Sequence, residues 1–72
     1  MKNYMNLTKR TLFMGIPVIE CSFYNEVSIE DSYFTFSTVE DRNNAYAAAM
    51  ELLTAEEKFD YLKSVATGNY KS

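Results

Sequence analysis

The hydrophobic pattern changes its period near the middle of the chain, and this change limits the fold more than any other feature. Residues 18–24 and 33–37 alternate between apolar and polar side chains, which is typical of strands with one buried face. The apolar positions predicted to point inward are Ile19, Cys21, Phe23, Phe34 and Phe36. Residues 11–14 are also apolar and predict a third strand upstream.

The second half of the chain has helical spacing and two helix-start signals. Residues 37–40 and 54–57 each begin with a hydroxyl side chain and have a glutamate three positions later, the pattern of a capping box. A first helix is predicted to run to Leu53, with an apolar face formed by Val39, Tyr46, Met50 and Leu53, and Ala49 at its margin. A second helix is predicted to end at Gly68. Its apolar face is predicted to contain Ala55, Phe59, Leu62 and Ala66.

These patterns predict an α+β fold in which a small antiparallel sheet of two or three strands is followed by two helices packed on one face. The chain has 72 residues, enough for one domain, which we place at residues 10–68. Residues 1–9 are predicted to form a basic N-terminal arm that is either flexible or an edge strand. Residues 69–72 are predicted to form a polar tail.

The composition argues against cofactors and metals. The chain has no histidine, and Cys21 is its only cysteine, so it cannot form an internal disulfide or a tetrahedral site of nitrogen and sulfur ligands. We predict that Cys21 is a small core residue. A lone thiol and the lack of a recognisable signal peptide predict a cytoplasmic location. If the gene belongs to a bacteriophage, this is the cytoplasm of the host.

The same composition argues against an enzyme. Histidine, the commonest general base, is absent, and with it every Ser-His or Cys-His pair. No glycine-rich loop is present to bind phosphate. Adjacent acids occur at residues 30–31, 40–41 and 56–57, where a turn or the first turn of a helix explains them. We therefore predict no catalytic residues.

Charge is distributed unevenly along the chain, whose net charge is −3. Residues 1–10 contain Lys2, Lys9 and Arg10 and no acid, whereas residues 11–41 contain six acids and no base. Since that acidic segment supplies the predicted strands, we expect a sheet without basic residues. Such a sheet would repel nucleic acid, which basic side chains normally bind.

Tyrosines and acids of the acidic segment are expected on the sheet face that the helices leave open. Exposed aromatic side chains surrounded by charges are typical anchors of a protein interface. The predicted partner-binding residues are Glu20, Tyr24, Glu26, Glu30, Asp31 and Tyr33. A partner of this surface is expected to be a protein with a basic surface, and not a membrane.

The leading functional hypothesis is a small non-enzymatic protein-binding modulator that inhibits or triggers a larger host protein, such as a defence or stress enzyme. A short chain rich in Asn and Tyr, without His or Trp, is typical of genes carried by bacteriophages and mobile elements. One alternative is a structural or self-associating subunit that forms a homodimer or larger oligomer. A further alternative is a nucleic-acid accessory protein that uses the basic N-terminal arm.

Overall fold

A computed structural model describes residues 4–71 and contains one four-stranded antiparallel sheet and two α-helices. The elements are β1 (Tyr4–Thr11), a 3-10 turn (Phe13–Gly15), β2 (Pro17–Tyr24), β3 (Ile29–Thr35), α1 (Val39–Met50), α2 (Ala55–Val65) and β4 (Gly68–Lys71). The strand order in the sheet is β1-β2-β3-β4. The predicted α+β class is confirmed. The upstream strand lies at Tyr4–Thr11 and not at residues 11–14, and β4 is a strand that the sequence did not predict.

Short connections reverse the chain on either side of β2. Between β1 and β2, Met14 and Gly15 both have positive φ, and the Gly15 amide donates to the Leu12 carbonyl at 3.0 Å. Gly15, at φ +77°, lacks the Cβ that would make this conformation costly. Between β2 and β3, Asn25 Oδ1 accepts the amide hydrogens of Val27 and Ser28, both at 2.9 Å, which closes the hairpin.

The core lies between one face of the sheet and the helices. Its buried residues are Leu7, Ile19, Cys21, Phe34 and Phe36 from the sheet side and Ala45, Ala49 and Leu62 from the helices. The predicted inward residues of the strands are therefore buried, except that Phe23 is only half-buried. The Phe59 ring packs edge-on against Phe34, with 5.3 Å between ring centroids.

The second helix starts and packs as predicted. Thr54 accepts the Glu57 amide at 3.1 Å, and the Glu57 side chain accepts the Thr54 amide at 3.2 Å, so the capping box is complete. Leu62 is fully buried, and the other members of the predicted face are partly buried. The helix ends at Val65 instead of Gly68, which begins β4.

The first helix differs from its prediction at both ends and on its buried face. Thr38, and not Ser37, is the N-cap, since its hydroxyl accepts the Asp41 amide at 3.0 Å. The helix ends at Met50, and Leu53 lies beyond it with 92% of its surface exposed. Val39 and Met50 are also exposed.

The buried face of α1 is formed by small residues and one arginine: Arg42, Ala45 and Ala49. Alanines allow the helix backbone to approach the sheet closely, which the long apolar side chains of the predicted face would prevent. The Arg42 guanidinium is nevertheless satisfied, because Nη1 donates to the Arg10 carbonyl at 2.7 Å and Nε donates to Asn43 Oδ1 at 3.0 Å.

Both ends of the described chain lie within the sheet. Tyr4–Thr11 forms β1 at one edge, so the described part of the predicted arm is an edge strand. Residues 69–71 lie in β4, at the opposite edge, and do not form a tail. The Thr67 amide donates to the Thr35 carbonyl at 2.8 Å and leads the chain from α2 into this strand. Residues 1–3, including the base Lys2, and residue 72 lie outside the described residues.

Candidate functional site

The candidate site is the sheet face opposite the helices, which we call the outer face. Directly paired residues of antiparallel strands place their side chains on the same side, so the register defines this face. Its cross-strand rows are Tyr4–Tyr24–Ile29, Asn6–Ser22–Asp31, Thr8–Glu20–Tyr33–Tyr70 and Arg10–Val18–Thr35–Gly68. In the last row Val18 is fully buried, whereas Arg10 at the edge of the sheet is exposed.

Four tyrosines form two stacked pairs on the outer face. The rings of Tyr4 and Tyr24 are 4.6 Å apart between centroids with 12° between their planes. The rings of Tyr33 and Tyr70 are 5.2 Å apart with 24° between planes. Tyr4 and Tyr70, on the two edge strands, are 57% and 44% exposed, while their partners are half-buried. Each pair therefore presents one accessible ring that a second ring holds in place.

Glu20 links a base and a tyrosine near the centre of the outer face. It forms an ion pair with Arg10, and the Tyr33 hydroxyl donates to Glu20 Oε2 at 3.4 Å. The hydrogen bond and charge of Glu20 raise the pKa of Arg10. Loss of hydration, followed by the negative charges of Glu20 and Asp31, raises the pKa of Tyr33. The Tyr33 hydroxyl therefore remains protonated at neutral pH.

The six predicted partner-binding residues fall into two groups. Four of them share the outer face: Glu20, Tyr24, Asp31 and Tyr33. Asp31 lies between the tyrosine pairs, where the Ser22 hydroxyl donates to its Oδ1 at 2.7 Å. Glu26 lies in the exposed β2–β3 loop, and Glu30 pairs with Phe23 on the helix side of the sheet. The predicted set therefore contains one residue of the opposite face.

Three outer-face residues were missed by the sequence reasoning: Tyr4, Arg10 and Tyr70. All three lie on β1 or β4, which lack strong apolar alternation. The expectation of a sheet without bases was wrong, since Arg10 lies on the outer face and Lys9 on the helix side. Lys9 Nζ lies 4.9 Å from the centre of the Tyr46 ring. Arg10 pairs with Glu20, so Asp31 is left as the one uncompensated charge among these three residues.

The Cys21 thiol lies on the helix side of the sheet and is 1% exposed. Its burial, followed by the negative charge of Asp31, raises the pKa of the thiol to about 11. The sulfur is therefore protonated at neutral pH, whereas the thiolate is the nucleophilic form. The position agrees with the prediction of a small core residue.

Comparison with models of protein families, with curated proteins and with solved structures finds no match to this chain. Within residues 4–71, no group of three or more Cys, Asp or Glu side chains is arranged to hold a metal ion. Neither of the two described helices has the length and apolar character needed to cross a membrane. A functional proposal for this chain therefore depends on its own contacts, burial and charges.

Proposed function

We propose that this chain is a small non-enzymatic protein-binding factor and that the outer face is its contact surface. The observation that carries the proposal is the arrangement of four tyrosines in two stacked pairs across an accessible sheet face. Tyrosine offers a large, rigid and amphipathic contact area at a small cost in conformational entropy. Because each exposed ring already stacks on its neighbour, it has less freedom to lose when a partner binds.

The polar groups of the outer face favour a partner with a basic contact surface. Asp31 lies between the tyrosine pairs, and the exposed Glu26 lies at the hairpin end beside Tyr24. Arg10 neutralises Glu20, so the attraction comes mainly from the hairpin end of the face. Charges at the rim of an interface act mainly on the association rate and its salt dependence.

The wider role that we propose is modulation of a larger host protein by occupation of part of its surface. A phage or mobile-element gene product in a bacterial cytoplasm would fit the short length and composition of the chain. Binding of this kind needs no catalytic group, because occupation alone blocks or triggers the bound protein.

Capture of a partner from a bacterial lysate, followed by binding measurements on variants, tests this proposal. The tagged wild-type chain should retain a specific partner, and purified partner should bind Tyr4→Ser and Tyr70→Ser chains more weakly by about 1–3 kcal/mol each. These tyrosines are exposed, so their replacement should leave the fold intact. Glu40→Gln and Asp60→Asn, on exposed helix positions, are matched controls and should bind as the wild type does.

The pattern of sensitive positions decides the result. A partner that binds the Tyr4→Ser/Tyr70→Ser double variant with wild-type affinity, but loses affinity for the helix variants, would show that the contact surface lies on the helices. Thermal unfolding of every variant provides the control for loss of fold.

Self-association is a second candidate because the outer face has only one uncompensated charge, Asp31, and contains the exposed side chains of Tyr4 and Ile29. A second copy could cover these residues without bringing strong like charges together. Sedimentation over a range of concentrations tests this possibility. A homodimer that the tyrosine variants convert to monomer would favour the second candidate, and a wild-type monomer at all concentrations would exclude it.

A further inference from the structure

A pocket of about 390 Å³ lies on the other side of the sheet, beneath the first turns of α2. It is lined by Cys21, Phe23, Glu30 and Ser32 from β2 and β3, by Lys71 from β4, and by Ala55, Glu56 and Phe59 from α2. Its volume falls within the range of small-molecule sites, about 300–1,000 Å³. The outer face has no part in it, so the pocket is independent of the proposed protein-binding surface.

The walls of the pocket are apolar and aromatic. Phe59 packs edge-on against Phe34, and Phe23 is half-buried in β2. Ala55, the first residue of α2, has too small a side chain to fill the space between the helix and the strands. A flat ring entering the pocket would therefore contact aromatic and aliphatic groups, with the protonated thiol of Cys21 on the floor.

The Ser32 hydroxyl is a polar group that lines the pocket. Ser32 is 6% exposed and lines the pocket, and its hydroxyl forms no hydrogen bond to another described residue. No fully buried polar side-chain atom lacks a partner among the described residues, so this hydroxyl must be accessible from the pocket. An accessible hydroxyl donates or accepts a hydrogen bond, and a ligand atom in the pocket would be its partner.

The charges around the pocket distinguish between ligands. Lys71 Nζ lies 3.8 Å from Glu30 Oε1, so one of the two acids that line the pocket is already paired. Glu56 adds a second carboxylate at the exposed start of α2. The three charged side chains sum to −1, which favours a cation and disfavours an anion.

We propose that this pocket binds a small aromatic compound that carries one ammonium group. The ring would lie among Cys21, Phe23 and Phe59, and a polar ring atom would bind the Ser32 hydroxyl. The ammonium group would lie toward Glu56, since Glu30 is paired with Lys71. This assignment follows from the size, the apolar walls, the accessible hydroxyl and the negative charge of the pocket.

Three indole probes of different charge test the proposal: tryptamine, 3-methylindole and indole-3-propionate. Titrated into the ¹⁵N-labelled full chain, tryptamine should shift the amide signals of Cys21, Ser32 and Ala55, with a Kd on the order of 1 mM for a probe of this size. Its affinity should exceed that of neutral 3-methylindole by about twofold to fivefold, because the charges involved are exposed. Indole-3-propionate should bind more weakly than both.

Variants locate the site. Ala55→Leu should fill the pocket and abolish the shifts of all three probes. The variant Glu56→Gln alters only an exposed side chain, so it should fold, and because Lys71 then balances Glu30, it should reduce tryptamine binding to the level of 3-methylindole. Glu40→Gln, an exposed acid on α1 that is not part of the pocket, is the charge control and should bind as the wild type does.

Three results would overturn the proposal. Tryptamine shifts confined to the outer-face tyrosines would place the binding site on the other side of the sheet. Equal affinity of indole-3-propionate and tryptamine would remove the preference for a cation. Unchanged tryptamine binding by the Glu56→Gln variant would do the same, even if Ala55→Leu failed to fold.

Discussion

The two faces of the sheet use alternate residues of the same strands but are stabilised in different ways. On the helix side, Ile19 and Phe34 have no exposed surface and contribute through burial. On the outer face, Tyr33 and Glu20 keep contact with solvent and contribute through pairs across the strands. A single strand thus supplies a core and an ordered accessible surface, because neighbouring side chains point in opposite directions.

The largest expected effect compares these faces on adjacent strands. Phe34→Ala should lower the free energy of unfolding by about 3–5 kcal/mol, because it removes a fully buried ring from the centre of the core. Tyr70→Ala, on β4, should cost much less, because its ring is 44% exposed. Urea unfolding followed by circular dichroism measures both. Similar losses for the two variants would mean that the outer face is as much a part of the core as the helix side.

The sequence predicts those strands and helices that are stabilised by the burial of large apolar side chains. Alternation identified β2 and β3, and the helix-start pattern at Thr54 correctly predicted α2. Alternation did not identify β1 and β4, because their residues are largely polar and these strands form by pairing with neighbouring strands. The apolar pattern also predicted the wrong buried face for α1, since Ala45 and Ala49 give a weak apolar signal and the buried Arg42 gives none.

The second largest expected effect is a change in the free energy of unfolding with pH, caused by a residue on the helix side of the sheet. Burial raises the pKa of Cys21 from its ordinary value of 9.0 to about 11 in the folded chain. Between pH 9 and 11 the unfolded chain releases this proton while the folded chain retains it, so the free energy of unfolding falls as pH rises. The total loss should be about 2–3 kcal/mol and should level off once both states are ionised.

The control for this pH effect is a Cys21→Ala variant. Other groups that titrate in this range, including Tyr33 with its raised pKa, are present in both chains, so the difference between the two stability curves isolates the thiol. A constant difference between pH 8 and pH 11 would contradict the burial of Cys21, whose ordinary pKa is 9.0.

The candidate site was only partly predictable for the same physical reason. Alternation placed Tyr24 and Tyr33 on the side opposite the core, as the structure does. The stacked partners Tyr4 and Tyr70 are 20 and 37 residues away along the chain, and only the strand register brings them together. The ion pair between Arg10 and Glu20 depends on the same register, so the net charge of the face could not be derived from the order of residues.

The smallest expected effect tests whether the outer-face pairs stabilise the sheet at all. Tyr4 and Tyr24 stack with centroids 4.6 Å apart, within the range in which aromatic pairs contribute beyond their burial. A double-mutant cycle with Tyr4→Ala and Tyr24→Ala should give a coupling of about 0.5–1 kcal/mol in the free energy of unfolding. The cycle cancels the contribution that the burial of each ring makes to stability, which differs between the two positions, and leaves the energy of the stacking interaction.

Tyr4 and Tyr70 provide the control pair for this cycle. They lie on opposite edges of a four-stranded sheet, so three strand spacings of about 4.8 Å separate them, and their effects should add to within about 0.5 kcal/mol. Coupling for the stacked pair alone would show that the exposed rings are held in place before any partner arrives. An absence of coupling in both cycles would mean that the rings move independently, and the outer face would then lose the preordered anchors on which its proposed role depends.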